Sequence, residues 1–334
     1  MRFSQQEKME VIHLVENSEL GIKRTLLNLG INKSTFYIWY ARYNEQGYDG
    51  LAPRKPNYRH YWNRIPDIER EKVLELALNS PELSSRELAW RITDNEGWYI
   101  SESSVYRILK ARGLISPPTH DVIKAANEFK DKTSSINQLW QTDFTYFKVI
   151  GWGWYYLSTI MDDYSRYIIS WELCKNMKSD DVQRCIYDAL QKTGLKKTER
   201  PRLLSDNGSC YISTELGSYL ERAGIRHIRG RVRHPQTQGK IERYHRSMKN
   251  VIKLDNYYSP EELERSLAEF IFYYNNERYH ESLENLTPTD VYFGKVDQRI
   301  NQRKETKYRT LKRRRMNYLE RKLELPNQEN EIIA

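Results

Sequence analysis

Apolar positions recur at helical spacing through the first hundred residues, then give way near residue 138 to strand-like runs. Residues 4–46 predict three short helices. The first runs from Gln5 to about Glu16, with Ser4 as N-cap and Glu7 three residues on, a capping-box pattern. The second covers about Ile22 to Leu29 and stops at Gly30. The third opens at Lys33 or Ser34 and carries Phe36, Trp39, Tyr40 and Tyr43. A stretch bearing Pro and Arg, 50–63, leads to a second trio at about Pro66 to Asn79, Ser85 to Asp94 and Glu102 to Arg112. There Ser84 and Glu87 repeat the capping box, and Ser101 is an expected N-cap. A polar connector with Pro117-Pro118 closes this half.

From Gln138 to about Phe147, Trp154 to Met161 and Arg166 to Leu173, aromatic and β-branched residues predict three strands in a meander. A helix over Ser179 to Thr193, a short strand Arg202 to Ser205, a helix Ser213 to Ala223 and a strand Ile225 to Ile228 follow. Two further helices cover 239–254 and 260–277. The fold class expected is multidomain: amino-terminal all-α helix-turn-helix units, then an α/β core with a mixed five-stranded sheet. The expected divisions are a helix-turn-helix unit at 1–49, a linker at 50–63, a second such unit at 64–113, a connector at 114–137, the core at 138–296 and a basic tail at 297–334.

In a helix-turn-helix the start of the last helix faces the DNA major groove. Lys33, Ser34 and Thr35 occupy that position in the first trio, and Ser103, Ser104 and Arg107 in the second. A plain three-helix bundle without a DNA role is the alternative, and charge does not separate the two, since residues 1–49 hold six basic and six acidic side chains.

Charge matters at the other end. Lys plus Arg total 54 against 45 Asp plus Glu, a net of +9. Between Arg299 and Lys322, eleven basic residues face two acidic ones, so this block carries the whole excess. Such a block, with Lys312, Arg313, Arg314 and Arg315 at its centre, suits a polyanion, although it also fits a solvated tail or a bridge to another subunit. The three cysteines, Cys174, Cys185 and Cys210, form no C-x-x-C pair, which argues against a disulfide framework or a cysteine zinc site and fits a reducing cytoplasm. No secretory signal and no membrane-spanning run is expected.

Three acids stand where acids are awkward. Asp143 interrupts the apolar LWQTDFTYF, Asp206 ends the strand of PRLLSDNG, and Glu242 lies early in a helix, in GKIERYHRS. A carboxylate near a sheet core needs a cationic partner. Two hard divalent cations, Mg²⁺ or Mn²⁺, would serve all three and relieve their mutual repulsion. Asp162 and Asp163 are rivals, but they read as a hairpin turn with Arg166 as local ion partner. Arg246 and Lys249 fall at i+4 and i+7 from Glu242, one face of the helix, where they would hold phosphates, with His245 at i+3. Asn275, Asn276, Arg278 and His280 read as structural closure, and Trp152, Trp154, Tyr155 and Tyr156 as packing rather than base stacking.

With 35 residues between Asp206 and Glu242, the stretches WQTDFTYF (140–147), SDNGSCY (205–211), HPQTQGKIERYHRSMK (234–249) and YYNNERYHESLENLTPTDVYFG (273–294) together resemble the integrase-like bacterial insertion-sequence transposases with a DDE triad, and through the core also retroviral integrases. The resemblance implies a ribonuclease H-like core, with Asp143 bridging two metal ions that Asp206 and Glu242 complete. It implies cleavage at the 3′ ends of a mobile element, then strand transfer. Asn207, Gln236, Gln238 and Lys240 would join His245, Arg246 and Lys249 in touching DNA, although Asn207 reads equally as a turn residue. The implied partners are double-stranded DNA, both terminal repeats and target, and further copies of the chain, at least a dimer, in a bacterial cytoplasm at the nucleoid. No organic cofactor and no membrane is expected. Retroviral integrases carry an amino-terminal His/Cys zinc module; two helical trios stand in its place here. A non-enzymatic regulator descended from a transposase and a ribonuclease H-like nuclease are the alternatives.

Overall fold

The computed structural model describes residues 3–52, 61–115, 133–230 and 239–324. The chain divides into two compact units, Met1–Arg64 and Ile65–Ala334.

The first unit holds α1 (Gln5–Glu16), α2 (Ile22–Asn28) and α3 (Lys33–Gln46). Ser4 and Glu7 cap α1 reciprocally, as the capping box requires. Val11, Ile12, Val15, Leu26, Phe36, Trp39 and Leu51 close the core. Gly30 ends the α2 region with φ of 65°, a left-handed turn that costs glycine little.

The second unit begins with α4 (Asp67–Asn79), α5 (Ser85–Arg91) and α6 (Glu102–Ala111). A π-helical turn, Ile92–Glu96, extends α5. The capping box of Ser84 with Glu87 and the Ser101 cap are both formed. Val73, Leu88, Ile92, Trp98, Val105 and Leu109 make this trio's core.

The α/β core is built on a five-stranded sheet in the order β3-β2-β1-β4-β5: β1 (Leu139–Val149), β2 (Gly153–Asp162), β3 (Ile168–Cys174), β4 (Arg202–Ser205) and β5 (Arg226–Arg229). β1, β2 and β3 are an antiparallel meander, whereas β4 and β5 join β1 in parallel, so the sheet is mixed. Between and after these strands come α7 (Ser179–Thr193), α8 (Ser209–Ile212), α9 (Thr214–Ala223), α10 (Gly239–Ile252), α11 (Pro260–Asn276) and α12 (Pro288–Tyr292). Alternation along the strands sends Trp140, Ile160, Ile169 and Leu203 into a core with α7 and α9. Phe147, Val149, Leu157 and Met161 pack with Ile241, Tyr244 and Met248 of α10 and Leu263, Leu267 and Phe270 of α11. This mixed five-stranded sheet sandwiched by helices is a ribonuclease H-like core. Among the described residues no helix is long and apolar enough to cross a membrane.

The basic block departs from the expected tail. It forms a 29-residue helix, α13 (Val296–Glu324), whose buried face is polar: Arg303, Thr306, Thr310 and Arg314. That face docks on the second helical trio. Arg303 donates twice to Asp94 (2.8 and 2.6 Å) and lies over the Trp90 ring. The Tyr99 backbone N–H donates to Thr310 Oγ1 (2.9 Å). Arg313 and Arg314 both grip Glu69.

Candidate active site

β1 is the central strand, and its parallel register with β4 decides where two of the acids meet. Gln141 pairs with Leu204; the same register continued two residues sets Asp143 level with Asp206, just past the end of β4. The Gly208 backbone N–H holds Asp206 through Oδ1 (2.9 Å). Asn207 donates to the Gly230 carbonyl (2.8 Å) and so braces the turn rather than extending a free amide outward.

Glu242 arrives on α10, whose apolar face, Ile241, Tyr244, Met248 and Ile252, is buried against the sheet. Its entry is pinned by a polar relay. Gln141 Nε2 donates to Asp163 Oδ1 (2.6 Å), and Gln141 Oε1 accepts from the Ile241 backbone N–H (3.2 Å). Lys240 Nζ donates to the Asp163 carbonyl and to its Oδ2, both at 2.7 Å. Asp163 is therefore more than the turn residue the sequence suggested, and its ion partner is Lys240, not Arg166. Its buried neighbour Asp162 fits the hairpin expectation, accepting from Ser165 and from the Asn137 N–H. Gln141 and Asp163 carry no motif of their own; only the register that stacks β1 beside β2 exposes their role.

Electrostatics ties Glu242 to Asp143. Burial and then the Asp143 charge push the Glu242 carboxyl above its ordinary range, while Arg246 and His245 pull it down. His245 is buried, and its Nδ1 lies 3.3 Å from Asp143 Oδ2. It is thus a partner of Asp143 rather than a DNA contact on the surface. Arg246 is exposed on the same face. Lys249 lies 4.7 Å from the Tyr146 ring centroid; burial and Lys253 lower its ammonium. Burial, then the charges of Asp206 and Asp143, raise the Cys210 thiol to about 11. Among the described residues no three His, Cys, Asp or Glu side chains are grouped closely enough to hold a metal ion.

Other sequence candidates fall as follows. Gln236 and Gln238 lie outside the described residues. Lys33 and Ser34 are exposed and Thr35 half-buried at the start of α3, with Lys33 near the Tyr37 ring. Ser103 and Arg107 are exposed on α6, but Arg107 folds back onto the Ser103 carbonyl and the Ser104 hydroxyl. Arg314 is buried in its Glu69 ion pair and so is not available to a polyanion; Arg313 shares Glu69, while Lys312 and Arg315 stay exposed. Asn275 clamps both backbone groups of Ile168, tying α11 to β3. Tyr155 packs in the core as expected and Tyr156 is half-buried, but Trp152 and Trp154 are exposed.

Two stretches match the integrase core domain family, residues 134–235 and 223–288, and between them they contain all three acids. Residues 134–288 are thus similar to integrase core domains. Residues 3–52 and 35–109 match homeodomain-like domains, which cover both helical trios. The chain is also similar to bacterial transposases. The transposase for transposon Tn552 of Staphylococcus aureus is 26% identical over 268 residues, covering 72% of this chain and 55% of the relative. The putative transposase InsK for insertion sequence element IS150 of Escherichia coli is 29% identical over 173 residues, covering 52% of this chain and 59% of the relative. The chain thus spans a little over half the length of these relatives. Among solved structures, the HTLV-2 integrase catalytic core domain in complex with magnesium overlaps 47% of this chain and 97% of that one at 21% identity, with a TM-score of 0.39.

Proposed function

We propose that the chain is a DNA transposase, which cuts the 3′ ends of a mobile element and joins them to target DNA. What supports this is the parallel register of β1 with β4, which leads toward Asp143 and Asp206, together with the mutual charge effect of Asp143 and Glu242 and the Gln141–Asp163–Lys240 relay at the entry of α10, in a stretch similar to integrase cores. The three acids offer only oxygen donors, a set that suits hard Mg²⁺ or Mn²⁺. Asp143, Asp206 and Glu242 would hold two such ions, which when bound supply Lewis-acid stabilisation of the attacking and leaving oxygens of a phosphodiester. The chain's other groups do the positioning. His245 orients Asp143, and Arg246 and Lys249, one and two turns beyond Glu242, receive phosphates of the DNA end. The helical trios, through Lys33, Ser34, Thr35 and Ser103, read the element's terminal repeats. Joining two ends at one target calls for at least two copies of the chain.

The test is strand transfer of a pre-nicked terminal oligonucleotide with Mn²⁺. Wild type should join it to target DNA, and Asp206→Asn should bind the same duplex without joining it. Activity that survives Asp206→Asn sinks the metal assignment; an inert wild type that still binds the duplex points to a regulator.

A further inference from the structure

Beside the entry of α10, away from the Glu242 face, lies a small cavity of about 40 Å³ lined by Arg166, Lys240, Arg243, Ser247, Arg278 and His280 together with two tyrosines. Three guanidiniums and an ammonium converge there, and no carboxylate lines the space. Asp163, whose charge reaches Arg166, already accepts from Thr133, Gln141 and Lys240. Arg166, Arg243 and Arg278 are in no salt bridge among the described residues, whereas Lys240 pairs with Asp163 and Arg303 with Asp94. Arg166 Nε and His280 Nε2 are buried without a hydrogen-bond partner. Arg166 also has φ of 64°, a backbone state that an arginine adopts at a cost and that Gly or Asn would adopt more easily. Buried donors are normally satisfied, and like charges repel unless something negative stands between them. The surroundings of His280 agree: burial and the positive charges of Arg166, Arg278 and Arg243 hold its imidazole neutral.

We propose that this cavity binds one phosphate of the DNA backbone, gripped by Arg166, Arg243 and Arg278. The space holds a few water-sized groups, enough for the two unesterified oxygens of a phosphodiester but not for a nucleotide. It shares α10 with Glu242, so a phosphate seated here fixes the duplex relative to the acids. The assignment rests on the DNA-joining function proposed above.

The experiment is a salt titration of the full chain binding an element-end duplex, followed by fluorescence anisotropy. In Arg243→Gln/Arg278→Gln the slope of log K against log[NaCl] should shrink by roughly 0.9, the loss of one phosphate contact. Arg243→Lys/Arg278→Lys, which keeps the charge, should retain most of the slope, and this pair guards against a folding defect. Lys192→Gln/Arg222→Gln, which removes two exposed charges elsewhere, should leave the slope as in wild type. An unchanged slope in the glutamine variant overturns the proposal. In a second arm, inorganic phosphate at matched ionic strength should raise the melting temperature of wild type more than that of the glutamine variant. Stabilisation by phosphate with no change in the DNA slope assigns the cavity to a free anion and overturns the DNA assignment. A wild type inert in strand transfer whose slope still responds to the glutamine substitutions defeats the proposed reaction but not this site.

Discussion

Asp163→Asn isolates the relay that delivers Glu242. The carboxylate is nearly buried, with 8% of its side chain exposed, and every partner is a donor: Gln141 Nε2 on Oδ1, Thr133 Oγ1 and Lys240 Nζ on Oδ2. An amide of the same shape offers only one acceptor. If its oxygen keeps Thr133 and Lys240, its NH₂ meets the Gln141 NH₂, donor against donor. Gln141 can flip to accept, but then its own NH₂ faces the Ile241 N–H, which is left unsatisfied at the start of α10. Either arrangement strands one buried donor, at about 1–3 kcal/mol, and weakens a charge-assisted bond to the half-exposed Lys240. The expected loss is about 2–4 kcal/mol, measured as a lower urea midpoint for the unit that begins at Ile65. Hydrogen exchange gives the local signature: the Ile241 amide should lose protection while the Phe270 amide in the middle of α11 changes only with global stability. Strand-transfer kcat should fall more than duplex affinity, since what is displaced is Glu242 rather than the DNA-reading helices. A cost under about 1 kcal/mol with Ile241 still protected would refute the reasoning, because it would mean that α10 is held by its apolar face alone.

Acid should expose His280. Its imidazole is held down at about 3 against an ordinary 6.5, first by burial and then by the neighbouring arginines. The unfolded chain therefore binds the extra proton between about pH 6.5 and 3, and stability falls as pH drops through that window, by about 2 kcal/mol at pH 5. Urea midpoints at pH 7 and pH 5 should show His280→Gln losing less stability on acidification than wild type. Asp94→Asn should cost about 3–5 kcal/mol, since both Asp94 and Arg303 are buried and the arginine would keep an uncompensated charge. Adding Arg303→Met should recover much of that loss in the same urea assay. In the first unit a Cβ on Gly50 would come 2.3 Å from the Arg42 carbonyl oxygen, which is backbone and cannot swing away. Gly50→Ala should therefore cost that unit about 1–3 kcal/mol, read as an earlier melting transition.

Much of this protein was legible in its residues. Periods of 3.6 and 2 placed α1, α3, α7 and β1 to within a few positions, because the helices each turn apolar residues toward a core and β1 alternates between a core on either side of the sheet. Capping boxes at Ser4 and Ser84 marked helix starts for a local reason, two orphan donors met by near neighbours. The three acids stood out because apolar strands and a helix entry do not ordinarily tolerate them. What the sequence left undetermined has no local signal. The interior face of α13 is Arg303, Thr306, Thr310 and Arg314, so charge and hydropathy suggested a DNA-binding or solvated tail where burial of paired charges made a docked helix. Asp163 took Lys240 from 77 residues away instead of the nearby Arg166, and Arg166 was left to join Arg243 and Arg278 around a cavity. Those pairings depend on which strands lie side by side and on where α10 crosses them. The sequence by itself indicated most of the elements and the candidate acids; only the tertiary structure, by deciding which charges are desolvated together, settled which of them pair within the scaffold.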